Sequence, residues 1–304
     1  MTTEHDQLRG RLGEAGVWTF AFDSQPAARI AADALAIEAL GFTALWVPEG
    51  GGSRDVVGHL GWLATSTERL TVCSGIATIS ARQPEVLQAG ATLLADAYGD
   101  RIVLGIGVGH EYTTERRGHA WSRPLARTRA YLDAMDAAAG NWPAPAVPVR
   151  RLLAALGDSM LRLSADRTLG AHTYFVPPEH TSRARRVIGP EPVLAVEQTV
   201  VLTSEPSRAR AIARRWADGY LGLPNYANNW RRLGYGDEDV TAGGSDRLID
   251  AGIAWGSVDE VARRIRAHID AGADHVCVQV ISEDETDVCL PQLGELAPAV
   301  TGAV

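Results

Sequence analysis

Three features of this 304-residue chain combine reactive side chains with permissive backbone: a carboxylate beside glycines, histidines at the ends of apolar runs, and a Gly-Asp-Ser turn. Glu49 follows the run Ala44 to Val47 and precedes Gly50, Gly51 and Gly52. It fits a general base, an acceptor for a ring N–H, or a solvated loop acid. His110 follows GIGVG and precedes Glu111 and Tyr112, and His172 lies in AHTYF. An imidazole near neutrality can hold, give or take a proton. His5, His59, His119 and His268 fit exposed or core positions better. Gly157, Asp158 and Ser159 open a helix directly after a strand, where free N–H groups favour an anion. An ordinary N-cap satisfies the same pattern. The GIGVG run is not a G-x-G-x-x-G dinucleotide fingerprint. It fits either a close backbone approach to a flat ligand or a flexible strand-end loop.

Other chemistries are disfavoured. No G-x-S-x-G elbow is present, and no His-x-His pair follows the first strand. Cys73, Cys277 and Cys289 have neither metal nor redox spacing. All 29 basic residues are arginine, which excludes Schiff-base chemistry on lysine.

The elements that must position these residues alternate along the chain. The pattern predicts strands at Val17–Phe22, Ala44–Val47, Leu70–Ile79, Arg101–Ile106, Arg151–Leu156, Ala171–Val176, Val193–Leu202 and His275–Ile281. Helical spacing falls between them, for example Pro84–Tyr98 and Ser257–Ala271, the latter with Glu260 at capping-box spacing. Eight strands alternating with helices predict a single α/β domain over 1–304, a (β/α)8 TIM barrel with its active site at the C-terminal strand ends. An open doubly wound sheet is the alternative architecture, disfavoured by the strand count. The stretch 223–244 is irregular and long, as a lid or binding excursion would be.

A net charge of −8 disfavours nucleic acid and anionic membrane partners. The N-terminal segment lacks an apolar signal core, and no apolar run is long enough to span a membrane, so the expected location is the cytoplasm.

The segments EALGFTALWVPE, RLTVCSGIATISARQPEVLQAGATLLADAYGDRIVLGIGVGHE, LLAALGDSMLRLSADRTLGAHTYFVPPEHT and IAWGSVDEVARRIRAHIDAGADHVCVQV resemble the bacterial luciferase-like flavin and deazaflavin oxidoreductases. The branch they most resemble uses coenzyme F420. The resemblance covers most of the chain from Val17 to Val280. It implies a luciferase-like barrel whose tricyclic ring stands against strand three, backed by a bulge with a non-prolyl cis peptide at Gly75-Ile76, with Ala77 beside it. It implies a phosphate site at Gly157, Asp158, Ser159 and Met160, and cofactor contacts from Glu49, His110, Tyr112 and His172. The sugar-phosphate dehydrogenases of the family carry a histidine after the second-strand acid and a glutamate in the strand-four loop. Here Gly50 and His110 stand in those places, which argues against sugar-phosphate oxidation.

The reading that follows is an oxidoreductase passing a hydride between F420 and a small organic substrate, with His110 and Glu49 facing the reacting side. Tyr226 or Trp230 would serve as apolar walls. An FMN-dependent monooxygenase and a non-catalytic flavin-binding barrel are the alternatives. The resemblance also implies a homodimer formed through barrel helices. Val56, Val57, Leu60 and Trp62 would fit such a face, although packing against the chain's own barrel explains most of them.

Overall fold

A computed structural model describes residues 2–302. Eight parallel strands close on themselves. We label them β1 (Ala15–Trp18), β2 (Ala44–Val47), β3 (Thr71–Ser74), β4 (Ile102–Gly107), β5 (Arg150–Ala154), β6 (Gly170–Thr173), β7 (Val193–Val201) and β8 (His275–Val280). Each pairs with its successor, and β8 pairs with both β7 and β1, completing the barrel. Eight strands give an interior that side chains fill. Trp18, Trp46, Cys73, Val103, Leu152, Ala195 and Cys277 form that filling.

Local sequence sets the helices around the barrel. Pro84 sits in the first turn of the helix Pro84–Tyr98, and Gly99 ends it at φ 61°. Ser257 and Glu260 complete the capping box predicted for Val258–Asp270. Apolar helix faces pack outside the strands. Val56 and Leu60 are fully buried there, so these two do not form an outer face.

Several elements depart from the sequence pattern. The first strand is shorter than predicted and earlier. It ends at Trp18, and the chain then turns through the 3-10 helix Ala21–Asp23, where the Thr19 hydroxyl accepts from Ala21 N–H at 3.1 Å. The predicted third strand is broken by a cis peptide at Gly75-Ile76 and resumes at Ala77–Thr78, still paired with β4. A helix Glu4–Leu12 plugs the barrel floor with Leu8 and Leu12, both fully buried. The stretch 223–244 is not wholly irregular, because Pro224–Arg232 is helical. Two further short elements, Asp246–Gly252 and Ala254–Trp255, precede the helix Val258–Asp270, and the latter pairs with β7. No helix among the described residues is long and apolar enough to cross a membrane.

Candidate active site at the barrel mouth

The C-terminal ends of β3, β4 and β5 leave a half-open strip. Gly75 and Ile76, Val108 to His110, Ala154, and Leu156 to Asp158 are all partly exposed, while the strand residues below them are mostly buried. The glycines of strand four explain how the bulge fits. A Cβ on Gly105 would lie 2.1 Å from the Ser74 carbonyl oxygen, and one on Gly107 would lie 2.7 Å from the Ile76 side chain. These glycines therefore make room for the β3 bulge, a more specific role than flexibility. Gly75 is itself constrained, because its Cβ would meet Trp18 Nε1 at 2.3 Å. That indole N–H is buried and has no hydrogen-bond partner among the described residues. A buried donor without an acceptor is costly, and a ligand carbonyl or ring nitrogen would satisfy it.

Glu49 does not face the reacting side with a free carboxylate. It is buried, and each oxygen is engaged. Thr78 N–H donates to Oε2 at 2.9 Å, Val56 N–H donates to Oε1 at 3.3 Å, and Arg82 donates to both oxygens. Arg82 also reaches Asp55 at 2.8 Å, and the Thr78 hydroxyl donates to the Glu49 carbonyl at 2.7 Å. This network ties the end of β2 to the segment that continues β3. With both oxygens engaged, the carboxylate holds these two strand ends together.

His110 is partly exposed, just beyond the end of β4. Its ring is parallel to Tyr112 at 6.2 Å between centroids and lies 5.9 Å from Tyr226. Burial lowers its pKa, and a side-chain hydrogen bond with Asn225 opposes that shift. Asn225 and Tyr226 belong to the helix Pro224–Arg232, so that helix packs against this histidine. A short helix, Glu111–Arg116, begins immediately after His110, where no helix was expected. Glu111 points to solvent.

His172 lies deeper than expected. It is 2% exposed inside the barrel and stacks on Trp46 at 4.6 Å. Burial pushes its pKa down to about 3. It is a neutral core residue and does not line the open strip. Trp230, expected as a wall, is fully buried against Phe175 and Tyr235, and Tyr226 is buried as well, at 7% exposed.

At the far end of the strip, Gly157 caps the helix Asp158–Arg167. Arg183 neutralises Asp158 at 2.9 Å. A Cβ on Gly157 would find only Arg232 Nη2, at 3.8 Å. Arg232 has no carboxylate partner among the described residues and touches only Asn229 Oδ1, at 3.4 Å. An N-terminal helix end flanked by Arg232, which makes no close ion pair and only feels the Asp158 charge, fits a phosphate. Ser159 is exposed at this turn, and Met160 N–H is already bonded to Gly157 O at 3.0 Å, which leaves the Asp158 and Ser159 amides as the available donors.

On the opposite side, sequence reasoning placed Tyr174 at a strand end but missed its partners. Tyr174, after β6, donates to Gln279 Oε1 at 2.7 Å and pairs with the Tyr220 hydroxyl at 2.9 Å. Beneath it, Glu197 is fully buried on β7. The signal was present in VLAVEQTVV, a charged residue in the middle of an apolar strand.

The model of one family, the luciferase-like monooxygenases, matches residues 7–275. The chain belongs to that family. Within the known members it is 29% identical over 233 residues to a Mycobacterium tuberculosis protein named as a coenzyme F420-dependent oxidoreductase, covering 74% of this chain and 60% of that one. It is 29% identical over 112 residues to the 5,10-methylenetetrahydromethanopterin reductase of Methanolobus tindarius, covering 37% of this chain and 34% of the reductase. The match thus spans less than two thirds of either relative, 60% of one and 34% of the other. The luciferase-like barrel also superposes on solved structures. An F420-dependent secondary alcohol dehydrogenase holding an F420-acetone adduct gives a TM-score of 0.76 at 14% identity, covering 94% of this chain and 98% of that one. The FMN-bound oxygenating constituent of 3,6-diketocamphane monooxygenase from a Pseudomonas putida plasmid gives 0.68 at 18% identity, with the same coverages.

Proposed function

We propose that this protein is an F420-dependent oxidoreductase that transfers a hydride between the deazaflavin and a small organic substrate. The observation that carries the reading is the half-open strip from the Gly75-Ile76 bulge to the Gly157 turn. One end has a buried indole N–H without a partner beneath the bulge, and the other a helix N-terminus beside Arg232, which makes no close ion pair, as a ring with a phosphate tail would use. The F420-dependent names among the relatives point the same way. In this reading the ring rests on Gly75, Ile76 and Ala77, and its phosphate rests on Gly157, Asp158 and Ser159 under Arg232. Tyr112 closes the rim. The bound cofactor supplies the hydride chemistry. His110, held by Asn225 and Tyr226, exchanges a proton with the substrate heteroatom. Glu49 acts through Thr78 and Arg82 by fixing the ring support.

The chain acts as one domain and as a homodimer. The exposed apolar side chains Leu35, Trp62 and Leu93, on three consecutive outer helices, support that assembly. A fluorescence titration of the purified protein with F420 and with FMN tests the cofactor assignment. Saturable binding of F420 at micromolar concentration, at least tenfold tighter than FMN, is expected. Preferential FMN binding would favour the monooxygenase reading, and binding of neither would end both.

A further inference from the structure

The barrel floor, opposite the mouth, holds an open cleft of about 550 Å³. One wall is the plug helix Glu4–Leu12, which presents Gln7, Gly10 and Arg11 at i, i+3 and i+4 spacing. The other walls are Asp100, just before β4, and Val147 and Arg150, at the start of β5. A cleft of this volume suits a small organic ligand. Its polar groups satisfy one another poorly. Arg150 is only 7% exposed and forms no ion pair among the described residues. Its guanidinium reaches two neutral acceptors at long range, the Asp100 carbonyl at 3.3 Å and Gln7 Oε1 at 3.4 Å. Arg11 Nε is buried without a hydrogen-bond partner, and Asp100 Oδ1 lies 3.5 Å from it. On the other flank of the same helix, Arg9 bonds Asp274 Oδ1 and the Pro190 carbonyl, each at 3.0 Å. The plug is therefore tied firmly on one flank and loosely on the flank that faces the cleft. Burial lowers the Arg150 pKa, Asp100 and Glu4 act against that, and the Arg11 charge reinforces it.

The charge of the cleft sets the class of ligand. Two guanidiniums and one carboxylate line it, which leaves one net positive charge. A monoanion balances that charge, whereas a phosphate dianion would exceed it and be repelled by Asp100. A carboxylate is also the planar acceptor that a guanidinium fork matches. We propose that this cleft binds a small organic carboxylate, its charged end held between Arg11 and Arg150 and its apolar body against Val147 and Gly10. Occupancy would supply the close acceptor that Arg150 lacks and would tie the plug helix to the segments before β4 and β5. The site does not depend on the F420 reading, because it lies at the opposite end of the barrel. Residues on that face of a barrel serve stability rather than chemistry, so the ligand acts on the stability of the fold.

The test uses three probes with one aliphatic body: hexanoate, hexanamide and hexyl phosphate. Binding to the full chain is measured by titration calorimetry near neutral pH, with and without F420. Hexanoate should bind at least tenfold tighter than hexanamide, and tighter than hexyl phosphate. At saturation it should raise Tm, since it binds the folded floor alone. Arg11→Gln and Arg150→Gln should each weaken hexanoate about tenfold and leave hexanamide unchanged. Asp100→Asn should strengthen hexanoate, because a repelling carboxylate becomes an amide. Arginines that serve structure alone would give no such gain. F420 loading should leave the hexanoate affinity as it is. Equal affinity for hexanoate and hexanamide would overturn the proposal, as would weaker hexanoate binding in Asp100→Asn. Hexanoate binding that survives both arginine variants, or that F420 displaces, belongs to the mouth and would also overturn it. If Arg150→Gln does not fold, Arg11→Gln and Asp100→Asn decide the question.

Discussion

At the scale of single residues, the mouth separates two groups that look alike in sequence. Glu49 and His110 both follow a strand, and either fits a proton-transfer role. The structure gives Glu49 four donors and leaves His110 with neutral aromatic neighbours and an amide. Their variants should therefore fail differently. Glu49→Gln removes the charge partner of Arg82, whose side chain is only 11% exposed, while Asp55 remains. Breaking such a buried pair costs about 3 kcal/mol. Urea unfolding should show that loss, with a weaker affinity for F420 because the support at Thr78 loosens. His110→Ala should leave stability and cofactor affinity nearly unchanged and lower kcat about 100-fold, the scale of a lost general acid or base. If His110→Ala keeps full turnover, the proton passes through another group. Because burial lowers the His110 pKa, its neutral form should persist to below pH 6.5, so activity that needs the base form should not fall until the solution is more acidic than that.

At the scale of elements, the bulge after β3 and the glycines of β4 form one device. Gly107→Ala would press a methyl group into Ile76 and into Ala154, whose Cβ lies 3.0 Å away. Overpacking of this kind costs about 1–3 kcal/mol. The displaced bulge should weaken F420 binding more than it lowers Tm. A control, Gly118→Ala, meets nothing within 4 Å but sits at φ 79°, so it should cost stability alone. An unchanged F420 affinity in Gly107→Ala would detach the bulge from the cofactor. The barrel itself was legible from alternation, because each strand carries a short apolar run and each helix a separate apolar stripe. Pro84 and Ser257 marked helix starts correctly. The interruption at Gly75-Ile76 was legible only through family resemblance, because SGIAT reads locally as continuous strand. The helix Pro224–Arg232 was hidden by its composition of Asn, Tyr, Trp and Arg, and it is held by packing of Tyr226 and Trp230 against Phe175. His172 was misplaced because inward and mouth-facing positions of a strand share one periodicity. Only the number of residues to the strand end distinguishes them.

For the whole molecule, buried histidines decide how stability responds to acid. His59, His180 and His275 have pKa values pushed down to about 4, and His172 and His268 to about 3, each mainly by burial. In the unfolded chain a histidine titrates near 6.5. Between pH 6.5 and 4 the unfolded state therefore binds protons that the folded state refuses, and stability falls with pH in that window. Glu197 works in the opposite sense. Its folded pKa of about 7 lies above the unfolded value, so its ionisation penalty grows from about pH 4.5 and is complete only above 7. Acidification relieves that single penalty while five histidine penalties build, so the histidines dominate. At pH 5.5 each histidine contributes nearly one proton taken up on unfolding and Glu197 nearly one released, a net uptake of roughly three to four protons. Calorimetry across pH 4 to 8 should show Tm falling steeply below pH 6.5. Glu197→Gln should raise stability at pH 8 but not at pH 4. If Tm is flat from pH 7 to 4.5, the five imidazoles are not neutral in the folded barrel, and the dry interior around Trp46 and His172 is not what holds them.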